Sequence, residues 1–164
     1  MQLYTALVRY VRDVRQTRTQ TYFFIIAVWF VTNVVTGILV SPSALSFGAG
    51  HHLMSCTVMV FGFIPLTANG WHGLFHLITA MAAFTAARKP KRAALLFGLI
   101  AGQIYLIVAG LGFMGGDNVL GLLTVDTSGN FVHTIEGLAM LLPVATALAS
   151  NRQPVAEPLT KARA

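Results

Sequence analysis

The chain has 164 residues, of which 55% are hydrophobic and only 10% are charged, and its mean hydropathy is +0.71. Soluble domains carry about a quarter charged residues, so this chain cannot cover its surface with charge and lipid must cover most of it. The length allows one domain. The formal net charge is +6, but every Lys and Arg lies outside the apolar segments, whereas a nucleic-acid site needs basic residues that share a face with polar or aromatic readers. The composition therefore predicts an integral membrane protein and excludes a nucleic-acid partner.

The basic residues are gathered between and beside the apolar segments, in a pattern typical of the positive-inside rule. They form three groups, which are Arg9, Arg12, Arg15 and Arg18, then Arg88, Lys89, Lys91 and Arg92, and finally Arg152, Lys161 and Arg163. If all three groups lie on one side, both termini are cytoplasmic and the chain is a multi-pass protein of the plasma (inner) membrane.

Residues 1–21 are predicted to form a cytoplasmic amphipathic segment. Its apolar residues recur at helical spacing, while the basic ones fall elsewhere on the helical wheel; the apolar set is Leu3, Leu7, Tyr10 and Val14. Such a helix can lie on the anionic inner leaflet, or it can be an extension that only fixes the orientation. The apolar run that follows has no cleavage-site pattern and is predicted to be a retained helix.

Four apolar stretches of membrane-spanning length are predicted within a transmembrane domain at 22–150. They cover about 22–40, 69–87, 93–113 and 130–150, close to the ~20 residues that cross a bilayer core. The third contains Gly98 and Gly102, a small-xxx-small pattern that lets helices pack closely. The fourth contains Pro143, which leaves the carbonyl of Ala139 without its helical partner. A polar cytoplasmic tail is predicted at 151–164.

The segment 53–66 is apolar but too short to span, and Pro65 ends it. It is predicted to be a short re-entrant or interfacial helix before the second span. With it, the predicted fold class is an all-α integral membrane protein, a four-transmembrane-helix bundle. The one cysteine, Cys56, is expected to be a small apolar filler, and His51 and His52 are expected to be solvated loop residues.

The second and fourth predicted spans begin alike, with Asn three residues before His in both. Asn69 precedes His72 and Asn130 precedes His133, and Asn is a favoured helix N-cap. A second register also fits, in which His76 is equivalent to His133, each followed four residues later by a small residue. Either register predicts two helix pairs in parallel repeat.

The same stretches, NGWHGLFHLITA and NFVHTIEGLAML, resemble the repeated Asn…His…Gly signatures of a family of small actinobacterial membrane proteins catalogued as domain of unknown function 4383. The resemblance covers most of 22–149, and Ala80 stands where the family pattern has Gly. It implies four helices and no particular reaction. The residues that carry it are Asn69, His76, Asn130, His133 and Gly137.

Six polar residues of the predicted spans fall in one band, in the outer half of the bilayer, when depth is counted at ~1.5 Å per residue from the basic groups. His72 and His76 share a helix face at i, i+4, and Glu136, the only acid within a span, shares a face with His133 at i, i+3. A neighbouring His is the expected partner of Glu136. The six are Asn33, His72, His76, Gln103, His133 and Glu136.

Three hypotheses account for this polar band. In the first, the band and the helix-starting Asn69 and Asn130 form a structural hydrogen-bond network. No catalytic residue and no cofactor is then predicted, and the protein is an accessory or scaffolding subunit that associates with a membrane partner or with a second copy of itself.

The second hypothesis is a metal or haem site, and the third is transport. His72, His76, His133 and Glu136 form a ligand set typical of zinc or iron, while bis-His haem ligation would use His72 and His133, which come closest in depth. His and Glu can also carry protons through a membrane, although few polar residues continue the path into the inner half. The sequence leaves these alternatives open.

Overall fold

The computed structural model describes residues 2–40, 45–48, 55–60, 62–116 and 118–150. His51, His52 and the predicted tail at 151–164 lie outside the described residues. After one short helix, the chain contains the order helix, two-stranded hairpin, helix two times in succession. The elements are α1 (Gln2–Val14), α2 (Arg18–Val40), β1 (Cys56–Val60), β2 (Ile64–Ala68), α3 (Gly70–Ala86), α4 (Lys91–Gly115), β3 (Asn118–Val119), β4 (Leu123–Thr124) and α5 (Thr127–Ser150).

Three of the helices, α2, α4 and α5, are long and apolar enough to cross a membrane. They have 23, 25 and 24 residues, and α3 has 17. Large aliphatic side chains such as Ile25, Ile107 and Ile135 are more than half exposed on their outer faces, which suits a lipid environment and would be unfavourable in water. The structure thus confirms membrane-length helices in the regions predicted as the first, third and fourth spans.

The described residues of segment 53–66 do not form a helix, so the prediction of a re-entrant or interfacial helix is wrong for them. β1 and β2 pair antiparallel, with Cys56 opposite Ala68. Buried Cys56 and Val58 alternate with exposed Thr57 and Met59, which is the period of a strand, and Gly62 at φ 80° supplies the turn. The fold is therefore mostly helical rather than all-α.

A second, shorter hairpin of β3 and β4 precedes α5, between the regions predicted as the third and fourth spans. α5 begins at Thr127, earlier than predicted, because Asp126 rather than Asn130 caps it. The Asp126 carboxylate accepts a hydrogen bond from the Gly129 N–H at 2.7 Å, and Asn130 lies inside the first helical turn. The predicted cap of α3 is present, since Asn69 Oδ1 accepts from the His72 N–H at 3.0 Å.

Close approach of α4 and α5 depends on glycines on both helices. A Cβ at Gly102 would stand 2.9 Å from the carbonyl oxygen of Gly137, and one at Gly98 would stand 2.7 Å from that of Met140. The small-xxx-small pattern is thus buried inside this chain. Pro143 lies within α5, and the hydroxyl of Tyr22 donates to the carbonyl of Ala139 at 2.8 Å, which satisfies the acceptor that the proline leaves unpaired.

α1 is anchored by its C-terminal half to the turn between α3 and α4. The Tyr10 hydroxyl donates to the Phe84 carbonyl at 3.1 Å, the Arg88 guanidinium lies 5.2 Å from the Tyr10 ring centroid, and Val14 is buried. Burial raises the pKa of Tyr10, and Arg88 opposes that shift. The outer half of the predicted apolar face is uncovered, with Leu3 85% and Leu7 60% exposed.

Candidate metal centre

Three histidines from two helices meet in the interior, directly beneath the hairpins. α3 provides His72 and His76 from one face, one turn apart, and α5 provides His133. Their side chains are 8%, 6% and 1% exposed. Among the described residues this is the group of His, Cys, Asp or Glu side chains whose ligand atoms lie close enough together to hold a metal ion.

The three Nε2 atoms form a nearly equilateral triangle. The His72–His76 and His76–His133 separations are both 3.2 Å, and the His72–His133 separation is 3.1 Å. The three rings therefore bring the same atom together at one place, although His72 and His133 are 61 residues apart in the chain.

Protons alone cannot satisfy this triangle. Each Nε2 of a neutral imidazole carries either a hydrogen or a lone pair, so at least two of three such atoms must be alike. One edge of the triangle is then always donor against donor or acceptor against acceptor, which is unfavourable between buried polar groups. A cation at the common point turns all three contacts into favourable ones.

The triangle matches the face of a tetrahedral metal site. Three imidazole nitrogens at 2.0–2.1 Å from a zinc ion are separated by about 3.3 Å in a tetrahedron, close to the 3.1–3.2 Å seen here. Haem fits poorly, because two axial nitrogens on opposite sides of an iron would be roughly 4 Å apart with the porphyrin between them. The donor set suits zinc and related divalent transition metals.

Neighbouring groups hold the rings in their ligating orientation. His72 Nδ1 lies 3.0 Å from the Thr124 carbonyl oxygen, which only accepts, so a neutral His72 donates from Nδ1 and presents a lone pair at Nε2. Such outer partners fix the tautomer of metal-binding histidines. Phe30 packs edge-on against His76 at a centroid distance of 5.2 Å, and Tyr105 packs edge-on against His133 at 5.4 Å.

The two helix–hairpin–helix units are tied together by a reciprocal pair of hydrogen bonds around this centre. Asp126, the cap of α5, accepts from the Thr67 N–H of β2 at 2.7 Å. Asn69, the cap of α3, donates to the Leu122 carbonyl at 2.7 Å, beside β4. Each helix cap thus bonds to the hairpin of the other unit, and both hairpins lie at the same end of the bundle.

Equivalent caps favour the second register of the internal repeat. Counting from Asn69 and from Asp126, His76 and His133 are both the seventh residue. His72 and Gly129 are both the third residue after their caps, and each donates its N–H to its cap. The pair His76 and His133 is therefore the repeated feature, and His72 is the ligand that only one unit carries.

The structure does not bring Glu136 into the ligand triangle. Its Oε1 accepts from Trp29 Nε1 at 2.7 Å and from Asn33 Nδ2 at 3.5 Å, and its Oε2 is buried with no hydrogen-bond partner among the described residues. The expected His–Glu pair is therefore replaced by a Trp–Glu–Asn group that joins α2 to α5. Asn33 belongs to this second group and not to the metal centre.

The other predicted network residues are placed differently again. Gln103 is exposed on α4 and does not join the histidine cluster. Asn130 is buried, and its side-chain amide fills the space beside Gly112, where a Cβ would meet it. Trp29, Thr124 and Asp126 were not predicted for the site. The capping preference of Asp126 before a helix was the one available signal among them.

A cavity of about 420 Å³ adjoins the three histidines, all of which contribute to its wall.

Comparison of the chain with protein-family models, with curated proteins and with solved structures gave no match.

Proposed function

We propose that this chain is a four-span membrane protein that binds one divalent transition metal ion of the zinc class through His72, His76 and His133. The observation that carries the proposal is the convergence of three buried Nε2 atoms at 3.1–3.2 Å. Three protein ligands leave one position open in a tetrahedral site, which is the arrangement of zinc sites that act on an exogenous ligand rather than of purely structural ones.

The membrane arrangement in this proposal adds α3 to the three membrane-length helices. Its 17 residues are at the lower limit for a transmembrane helix, and it packs between partners that do reach that length. The turn that contains Arg88 and Lys89 joins α3 to α4, and Arg15 and Arg18 lie near the start of α2. We place this end in the cytoplasm of a plasma membrane, with the metal centre and the hairpins towards the outer side.

The test is metal analysis of the protein purified in a mild detergent through a tag that lacks histidine. We expect close to one equivalent of zinc or a related metal per chain, either as purified or after incubation with the ion and gel filtration. His76→Ala and His133→Ala should each lose it, and Gln103→Ala, an exposed polar position on α4, should keep it. Wild-type protein that retains no metal under both conditions would overturn the proposal.

Association with a membrane partner or with a second copy, which the sequence favours, stays a prediction. The same purification measures it through the mass spectrum of chains that remain bound in a fixed ratio. Gly98 and Gly102 are enclosed by this chain's own α5 and α2, so a docking surface would have to use other residues. The exposed aliphatic faces of the helices are the part of the described chain available for it.

A further inference from the structure

The cavity beside the metal centre is bounded by α2, by the first hairpin and by the beginnings of α3 and α5. Its walls are mainly apolar, with side chains such as Val58, Leu74, Leu77 and Val132, and its polar end is formed by the three histidines. The cavity is open on one side rather than enclosed. An apolar cleft with a few polar groups at one place in its wall is typical of a site for a small apolar molecule.

All three histidines line this cavity, so the ion that we propose they hold lies at its wall. Gly129 is the equivalent of His72, three residues after its cap, and it lines the same cavity. Where a fully symmetric scaffold would carry a fourth imidazole, this chain has no side chain. A ligand in the cavity can therefore reach the ion where no protein group completes its coordination.

The charge of the proposed metal ion decides which class of ligand the cavity binds. A divalent ion held by three neutral imidazoles keeps both of its positive charges, and uncompensated charge in an apolar site is strongly unfavourable. None of the described residues that line the cavity is acidic, and the carboxylates of Asp126 and Glu136 already accept hydrogen bonds from Thr67, Gly129 and Trp29. An anionic oxygen ligand offsets the charge, and carboxylate oxygens are ordinary zinc ligands at 2.0–2.2 Å.

Building on the proposed metal site, we propose that this cavity binds an apolar carboxylate, with the carboxylate on the metal ion and the hydrocarbon chain along the apolar wall towards the bilayer. The volume of about 420 Å³ sets the length of the chain. At roughly 30 Å³ for each small group, the cavity accommodates about a dozen heavy atoms, which corresponds to a medium-chain acid such as decanoate.

The test uses Co²⁺ in place of the native metal, because its visible spectrum reports a change of ligand directly. Wild-type protein loaded with Co²⁺ in a non-ionic detergent is titrated with decanoate, with acetate and with 1-decanol. We expect decanoate to change the cobalt spectrum at a concentration at least 100-fold lower than acetate, and 1-decanol to leave it unchanged. The carboxylate and the chain are then both required.

Two failures are distinguishable in this experiment. If Co²⁺ binds but decanoate acts no better than acetate, or 1-decanol acts as well as decanoate, the carboxylate proposal is wrong and the metal site stands. If neither Co²⁺ nor zinc binds, the proposed function fails and this inference fails with it.

A matched pair of variants on α2 locates the chain-binding wall. Thr36 lines the cavity and Ile25 is 59% exposed on the outside of the same helix. We expect Thr36→Trp to weaken decanoate binding at least tenfold with unchanged cobalt content, and Ile25→Trp to bind as the wild type does. Equal decanoate affinity in the two cobalt-loaded variants would place the ligand elsewhere and overturn the proposal.

Discussion

His76 and His133 occupy the same position in the two repeated units, seven residues after Asn69 and Asp126, and their Nε2 atoms are 3.2 Å apart. The proposed metal centre therefore lies where the two units meet, and each unit contributes one of this equivalent pair of histidines. His72, which has no counterpart, completes the set.

The ion should stabilise the fold, since it binds the assembled triangle and has no comparable site in the unfolded chain. At a free zinc concentration 100 times the dissociation constant, the gain is about 2.7 kcal/mol. We expect zinc to raise the thermal midpoint of wild-type protein in detergent, and a chelator to reverse the rise. His76→Ala should show no zinc-dependent rise, and a rise of the wild-type size in that variant would contradict the assignment.

Asp126→Ala should destabilise the protein well beyond the loss of an ordinary surface acid. The carboxylate caps α5 through Gly129 and also accepts from the backbone N–H of Thr67. Loss of a cap costs about 0.5–2 kcal/mol, and an unpaired buried donor adds about 1–3 kcal/mol. Thr127→Ala, an exposed position next to it, is the control for chemical denaturation measured by circular dichroism, and equal midpoints for the two variants would refute the bridging role.

Two alanine substitutions on α4 separate packing from helix propensity. A Cβ at Gly102 would meet Leu141 Cγ at 2.7 Å and the Gly137 carbonyl at 2.9 Å, whereas one at Gly110 meets no atom within 4 Å. We expect Gly102→Ala to lower the free energy of unfolding by roughly 1–3 kcal/mol. Gly110→Ala should leave it unchanged or raise it by up to about 1 kcal/mol. The reverse order would show that α4 and α5 are farther apart than described.

Glu136 variants distinguish a metal ligand from a hydrogen-bond acceptor. Glu136→Gln keeps an oxygen for the Trp29 N–H, so we expect near-wild-type stability and full metal content. Glu136→Ala leaves that donor unpaired and should cost about 1–3 kcal/mol, again with the metal retained. Metal analysis and thermal unfolding of both variants measure these effects. Loss of the ion from Glu136→Gln would show that the Glu136 carboxylate is a metal ligand.

Cys56 should react slowly with alkylating reagents. Burial raises the pKa of its thiol, so at neutral pH less of the reactive thiolate is present than at an exposed cysteine, and the rate should climb as the pH is raised. The control is a Cys56→Ser, Thr57→Cys double variant, which moves the thiol to the exposed neighbouring position of β1. Mass spectrometry of iodoacetamide-treated protein gives both rates, and equal rates would argue against the buried position.

Sequence reasoning placed His72, His76 and His133 at one depth, because that inference needs only helix spacing and the positions of the basic groups. It could not show that the three Nε2 atoms converge, since convergence depends on how α3 and α5 rotate against each other. The same rotation explains Glu136 and Gln103. Glu136 faces Trp29, and Gln103 faces outward from α4.

The hairpins were missed for a different reason. A short apolar run has the same composition whether it forms a buried helix or a strand. The length of 53–66 indicates only that it is too short to span a membrane, and the signal for a strand is the two-residue alternation of its side chains. The sequence predicts a start at Asn130 because Asn is a favoured helix N-cap. Asp126 favours the earlier start because it caps α5 through the Gly129 N–H, and it also accepts from Thr67, a partner distant in sequence.

The reciprocal bonds between the hairpins also govern the order in which the chain can mature during its synthesis. β2 and the cap of α3 are made first, yet the acceptor for Thr67 and the acceptor for the Asn69 amide lie at Asp126 and Leu122. An N-terminal half that has just left the ribosome therefore has unsatisfied donors and two of the three ligands. If the three histidines bind an ion as we propose, their site is complete only after α5 has been made, and metal capture is then a late step in the biogenesis of this protein.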